Sequence, residues 1–158
     1  MLTVLTLCAG NSSRSILAEA ILNRDGAERV RAFSAGSNPA GRVHPAALDL
    51  LERKGFEPDK LRSKSWHEFA SPGAPDLDLV LVLCATVADE IMLDWPGDPV
   101  VVAWDLDDPA TAPQEQADLA FQHAYHWLSA RLNTLLALPI EDMAGHELRG
   151  LMLEIGDY

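Results

Sequence analysis

Aliphatic and polar positions follow two periods along this chain, and the switches between them mark its elements. Leu2-Thr-Val-Leu-Thr-Leu7 is a short apolar run that predicts a buried strand. Beyond it Ile16, Leu17, Ala20 and Ile21 fall on one face of a helix that closes near Asp25-Gly26. Val30–Gly36 reads as a second strand ending in small residues, and Asn38–Arg42 as a loop. His44-Pro45 opens a second helix, with Pro45 in its first turn, Leu48 and Leu51 inward and Gly55 as its stop. Asp59–Ala70 reads as partly helical, and Ser71-Pro-Gly-Ala-Pro75 breaks the chain. Leu77–Cys84 is almost wholly aliphatic, as a central parallel strand covered on both faces would be. Asp98-Pro99 precedes a fourth strand, Val100–Trp104. From about Pro113 a long helix places Ala117, Phe121, Ala124, Leu128, Leu132 and Leu135 at burial spacing. Pro139 interrupts it, and Glu141–Ile155 reads as a short final helix.

Strands alternating with helices imply an α/β fold: one doubly wound domain with a parallel sheet and right-handed crossovers. Residues 1–139 carry that unit and 140–158 a C-terminal helical extension. Such sheets bind ligands at the carboxyl ends of their strands. Here those ends hold Cys8, Ser34–Gly36, Cys84 and the Trp104–Pro109 segment, so both cysteines fall where a ligand is expected.

Composition narrows the functional classes. With 158 residues and 48% hydrophobic content, a single full core is expected. No apolar stretch reaches membrane-spanning length, and no basic residue precedes the Leu2–Leu7 run, which predicts neither a span nor an export signal. Two cysteines alone make a disulfide scaffold a poor expectation and a cytoplasmic location the default. A net charge of −12 disfavours nucleic acid and anionic membranes as partners. An anionic ligand would therefore be held by local groups rather than by the overall field. The five histidines show no ligand spacing, so no metal site is expected.

The chemistry concentrates in Cys8-Ala-Gly-Asn-Ser-Ser-Arg14-Ser15, between the first strand and the first helix. A loop in that setting turns backbone N–H groups and the positive helix end toward its interior, which makes an anion site. A lone cysteine at a strand end is ordinarily a small buried hydrophobe. In this context the field favours negative charge on sulfur, and Cys8 reads as a nucleophile. Arg14 offers a planar fork matched to two oxygens of an oxyanion. Ser15 is placed to donate a hydrogen bond to the sulfur, and Asn11 tolerates the left-handed backbone that a tight cradle needs. Ala9, Gly10, Ser12 and Ser13 complete the expected oxyanion-binding run.

Cys8–Ser15 resembles the Cys-x5-Arg-Ser signature of the low-molecular-weight protein tyrosine phosphatases and of the arsenate reductases that share their fold. The resemblance extends through Arg14–Ala20, Phe33–Gly36, Leu61–Trp66, Trp95-Pro-Gly97, Trp104 and Asp107–Ala110, where it is closest to the arsenate reductase branch. It implies a four-stranded parallel sheet in the order 2-1-3-4. It also implies that Asp108, otherwise an ordinary turn residue before Pro109, protonates the oxygen leaving a tetrahedral centre. Phosphatases usually follow that Asp-Pro pair with an aromatic residue; here Ala110 follows, which favours a small inorganic substrate such as arsenate.

The resemblance places a second redox cysteine at Cys84, whose other reading is simple packing at a strand end. Thioredoxin-coupled members carry a third cysteine shortly afterwards; Met92 stands in its place here. No bound cofactor is implied. An external thiol is, with glutathione and glutaredoxin favoured over thioredoxin. Glu19, Asn11 and Ser34 resemble residues that in some relatives surround a monovalent cation. Lys64 takes the fourth position, either as an internal replacement for that cation or as a solvated lysine. Two competing readings remain: a phosphatase working through a phosphocysteine, and a non-catalytic anion-binding module.

Overall fold

In the computed structural model, which describes residues 1–90 and 94–157, four parallel strands form one sheet in the order 2-1-3-4. They are β1 (Leu2–Cys8), β2 (Val30–Gly36), β3 (Leu79–Val82) and β4 (Val100–Ala103). β1 sits centrally, pairing with β2 from Leu2↔Val30 to Cys8↔Gly36 and with β3 from Val4↔Leu79 to Leu7↔Val82. The helices are α1 (Arg14–Asp25), α2 (Pro45–Arg53), α3 (Ala85–Glu90), α4 (Ala117–Leu136) and α5 (Gly145–Gly156).

The pleat divides the core in two. Leu2 and Val4 of β1 and Leu79 and Leu81 of β3 pack with α1, α2, α4 and α5 on one face. Leu5, Leu7, Val80 and Val82 pack on the other against Ala35, Trp66, Phe69 and Val87. α5 adds Leu148, Met152 and Ile155 to the larger cluster, and Trp104 donates its indole N–H to the Met152 carbonyl at 2.8 Å.

Several expected boundaries shift. β3 is shorter than the aliphatic run: Leu77 and Leu83 are buried, but Leu77 N–H donates to the Pro96 carbonyl, and Leu83, whose N–H closes the last pair through Leu7 O at 2.7 Å, has no partner residue of its own in the register. Cys84 therefore lies past the strand, and its carbonyl accepts from Ala88 N–H at 3.1 Å, which makes it the residue that caps α3. α3 itself was not expected. β4 stops at Ala103, one residue before Trp104. α4 begins at Ala117 rather than near Pro113, since a 3-10 turn fills Gln114–Gln116. A second 3-10 turn, Ile140–Asp142, delays α5 to Gly145. On α2 the buried face is Ala47, Leu50 and Leu51, and Leu48 is only half-buried. Within Asp59–Ala70 the helical parts are two 3-10 turns, Pro58–Lys60 and Trp66–Phe69. Met92 lies outside the described residues.

Candidate active site

The loop between β1 and α1 is held open by its own carbonyls. Ala9 O accepts from Asn38 N–H at 2.9 Å, Gly10 O from Ala40 N–H at 2.8 Å and Ser12 O from His44 N–H at 2.9 Å. Ser63 Oγ also donates to Gly10 O, at 3.1 Å. In a planar trans peptide the N–H that follows a carbonyl points the opposite way. Fastening these carbonyls outward to residues 38–44 therefore turns the amides of Gly10, Asn11 and Ser13 inward, as an anion cradle requires.

Asn11 is the hinge of the loop. Its φ of 45° lies in the left-handed region, and its side chain is bonded at both ends. Nδ2 donates to Ser15 Oγ at 2.8 Å, and Oδ1 accepts from Lys64 N–H at 2.8 Å. Ser15 Oγ in turn lies 2.9 Å from Cys8 Sγ. Because Asn11 already donates to that oxygen, the Ser15 hydroxyl hydrogen is left for the sulfur. Gly36 closes against the loop from β2. A Cβ there would stand 2.4 Å from Ala9 O and 3.0 Å from Asn11 Cβ, so only glycine permits this approach.

Arg14, the first residue of α1, is buried. Its Nη1 donates to the carbonyls of Leu83 (3.2 Å) and Leu106 (2.9 Å), which close the ends of β3 and β4. That locks the guanidinium plane. Among the described residues Nε has no hydrogen-bond partner and Nη2 meets only Asp108 Oδ2, at 3.6 Å. Nε and Nη2 share one edge of the fork, so a bidentate donor pair is left for two oxygens of a ligand. The Asp108 carboxylate accepts from Ser13 Oγ and from Ala110 N–H, both at 3.0 Å, and so stands beside Arg14.

Behind the loop Lys64 is buried, 3.7 Å from Glu19, with its ammonium donating to Arg62 O (2.9 Å) and Ser34 Oγ (3.4 Å). Burial raises the Glu19 carboxyl above its ordinary value, against the downward pull of Lys64 and Ser34. Burial likewise lowers the Lys64 ammonium, against the attraction of Glu19. Lys64 is thus not a solvated surface lysine.

The structure brings Cys8, Asn11, Ser13, Arg14, Ser15 and Asp108 together and places Glu19, Ser34 and Lys64 directly behind them. Cys84 is set apart. It is half-buried, packs with Ala9 against the smaller core cluster, and lies 3.0 Å from Thr86 Oγ1. Burial would raise its thiol, but the Thr86 hydroxyl, the Val87 amide and the Arg14 charge together bring it below the ordinary value. Both cysteines are free. Sequence reasoning missed the fastening of the loop by Asn38, Ala40, His44 and Ser63, the Ser13–Asp108 bond and the Thr86–Cys84 contact. The first two span loops distant in sequence and leave no local pattern. The third follows once Cys84 is recognised as a helix cap, because Thr86 then lies in the first turn. Among the described residues no group of three or more His, Cys, Asp or Glu side chains gathers in a way that could hold a metal.

A family model for low molecular weight phosphotyrosine protein phosphatases matches residues 3–145. The chain belongs to this family. Its relatives include a glutaredoxin arsenate reductase of Synechocystis sp., 30% identical over 109 residues, covering 69% of this chain and 79% of that protein. An arsenate reductase of Shouchella clausii is 30% identical over 128 residues, 80% of this chain and 88% of that one. Among solved structures, an arsenate reductase in the phosphate-binding state superposes with a TM-score of 0.67 at 27% identity, covering 87% of this chain and 98% of that chain. The sheet order and flanking helices are those the family resemblance implied. No helix among the described residues is long and apolar enough to cross a membrane.

Proposed function

We propose that this chain reduces arsenate to arsenite on the Cys8–Ser15 loop with electrons drawn from thiols. The observation that carries the reading is the unspent Nε/Nη2 edge of a buried, immobilised Arg14 on a loop that begins with a cysteine. The relatives named arsenate reductases support it. In the first step the Cys8 thiolate attacks arsenic and a sulfur–arsenic bond forms. The departing oxygen takes a proton from Asp108 and leaves as water. Loop amides and Arg14 hold the remaining oxygens, where charge collects.

A second thiolate, from Cys84 or glutathione, then attacks the Cys8 sulfur. The sulfur–arsenic electron pair stays on arsenic, which falls from pentavalent to trivalent and departs as arsenite. Cys8 is left in a disulfide with Cys84 or in a mixed disulfide with glutathione. Two external thiols reduce the Cys8–Cys84 disulfide by exchange, and one further thiol resolves the mixed disulfide, with glutaredoxin preferred over thioredoxin as carrier. A disulfide needs Cα atoms within about 7 Å, and the reading includes movement of the turn at 84–86 to bring Cys84 to Cys8. Lys64 serves as an internal cation that stiffens the loop through Asn11. A cytoplasmic location, where such thiols are abundant, belongs to the same reading.

The test is arsenate-dependent NADPH consumption, measured separately with thioredoxin and with glutathione plus glutaredoxin. Turnover with the second system and loss of it in Cys8→Ser is the expected result; no arsenate reduction under either system refutes the reading. Phosphatase action is the second reading, favoured by the adjacency of Arg14 and Asp108, which with Cys8 suffice for a phosphocysteine cycle. Sustained hydrolysis of an aryl phosphate without thiol, and no arsenate reduction with it, would select that reading.

A further inference from the structure

Thr86 has no place in the chemistry described so far, yet its hydroxyl lies 3.0 Å from the only other thiol in the chain. Cys84 is the capping residue of α3, so its side chain occupies the position from which serine, threonine or aspartate usually accepts the free amides of a first helical turn. The sulfur there meets the Thr86 hydroxyl at 3.0 Å, and the Val87 and Thr86 amides of the same turn also favour its charged form. The hydroxyl hydrogen rotates freely, and a negatively charged sulfur offers only acceptor capacity, so Thr86 donates to it. Among the described residues, the charged side chain that acts on Cys84 from a neighbouring element is Arg14, through space and with its Nη1 bonded to the adjacent Leu83 carbonyl.

We propose that Thr86 is a positioning residue for Cys84: its hydroxyl holds the sulfur as the thiolate and aims it from the cap of α3. This deepens the reading in which Cys84 supplies the second thiol, and rests on it for its catalytic meaning. Sulfur, not carbon or oxygen, is what makes the contact consequential, because only the thiolate attacks a sulfur or forms an exchange intermediate. Thr86 is exposed, so its replacement leaves the core untouched.

The Cys8→Ser chain carries Cys84 as its sole thiol, which lets one group be titrated without interference. In that background the iodoacetamide alkylation rate is followed from about pH 5 to pH 10 for Thr86, Thr86→Val and Thr86→Ser. Loss of the hydroxyl in Thr86→Val slows alkylation at neutral pH by about three- to tenfold and moves the midpoint to higher pH, with the alkaline plateau unchanged. Thr86→Ser restores the original profile. A Thr86→Val profile that superimposes on the parent, or a serine variant displaced as far as the valine one, overturns the proposal. Arsenate turnover of Cys84→Ser in the otherwise intact chain separates this outcome from the broader reading. Unimpaired turnover there removes Cys84 from the reaction and leaves the thiol profiles standing.

Discussion

The buried pair behind the loop permits a prediction with a sign and a size. In Lys64→Met the methionine fills the space of the lysine stem, and the Glu19 carboxylate loses its counter-charge. At 3.7 Å, and with an effective dielectric near 20, the lost attraction is about 4–5 kcal/mol. Removing one partner of a buried pair typically costs about 3–5 kcal/mol, so a loss in that range is expected at neutral pH. The pH dependence identifies the cause. Glu19 is already raised above its ordinary value in the native state. A raised carboxyl contributes stability that is complete below its unfolded value of 4.5 and is lost as pH rises through the folded value. Without Lys64 the folded value climbs further, so the deficit must grow as pH rises through the folded range and shrink on acidification. Lys64 is lowered from 10.5, so its own window opens downward from the alkaline side and does not imitate this recovery. The lost bonds to Arg62 O and Ser34 Oγ give a part of the deficit that pH does not change. Urea unfolding of both proteins at about pH 5 and pH 7 is the assay. A deficit under about 1 kcal/mol at pH 7, or one equal at both pH values, refutes the argument. Glu19→Gln combined with Lys64→Met should restore most of the stability, since no uncompensated charge then remains.

Three further outcomes are expected. Gly36→Ala forces the Ala9 carbonyl and Asn11 to yield, and a displacement of the loop of about 1 Å should cost about a hundredfold in turnover with an unchanged far-ultraviolet circular dichroism spectrum; retained activity contradicts the close approach described above. Asp108→Asn keeps the acceptor for Ser13 but removes the transferable proton, so arsenate turnover in the thiol-coupled assay should fall by about a hundredfold; unchanged turnover would remove Asp108 as the proton donor. Glu141 is held down to about 2 by its bidentate bond to Arg29. A depressed carboxyl stabilises above its unfolded value of 4.5, and that contribution is lost as pH falls through about 2. Glu141→Gln should therefore lower Tm at neutral pH and converge with the parent between about pH 4 and pH 2, which a thermal scan across that range decides.

What could be read in advance followed from how far each contact reaches along the chain. The strand–loop–helix unit at Cys8–Ser15 is local, and its residue types agree with its backbone at every position, from the left-handed Asn11 to the serine behind the thiol. Sheet order came from the family resemblance, because alternation of strands and helices leaves the order undetermined. Burial was legible where pairing was not: Leu77 and Leu83 are as apolar and as buried as the strand between them, yet the ladder omits both. α3 escaped notice because among its described positions Val87 alone is fully buried, too few for a helical period. The side-chain geometry of the site was least accessible, since it joins segments remote in sequence. Ser13 meets Asp108, Asn11 meets Lys64, and the Arg14 fork spans the ends of β3 and β4. Each is a bond between loops that the parallel sheet alone brings to one edge. A single strand slipped in register would leave every residue of the Cys8–Ser15 loop in place and still separate Asp108 from Arg14. The chemistry therefore depends on the order and register of the sheet as much as on the residues of the loop.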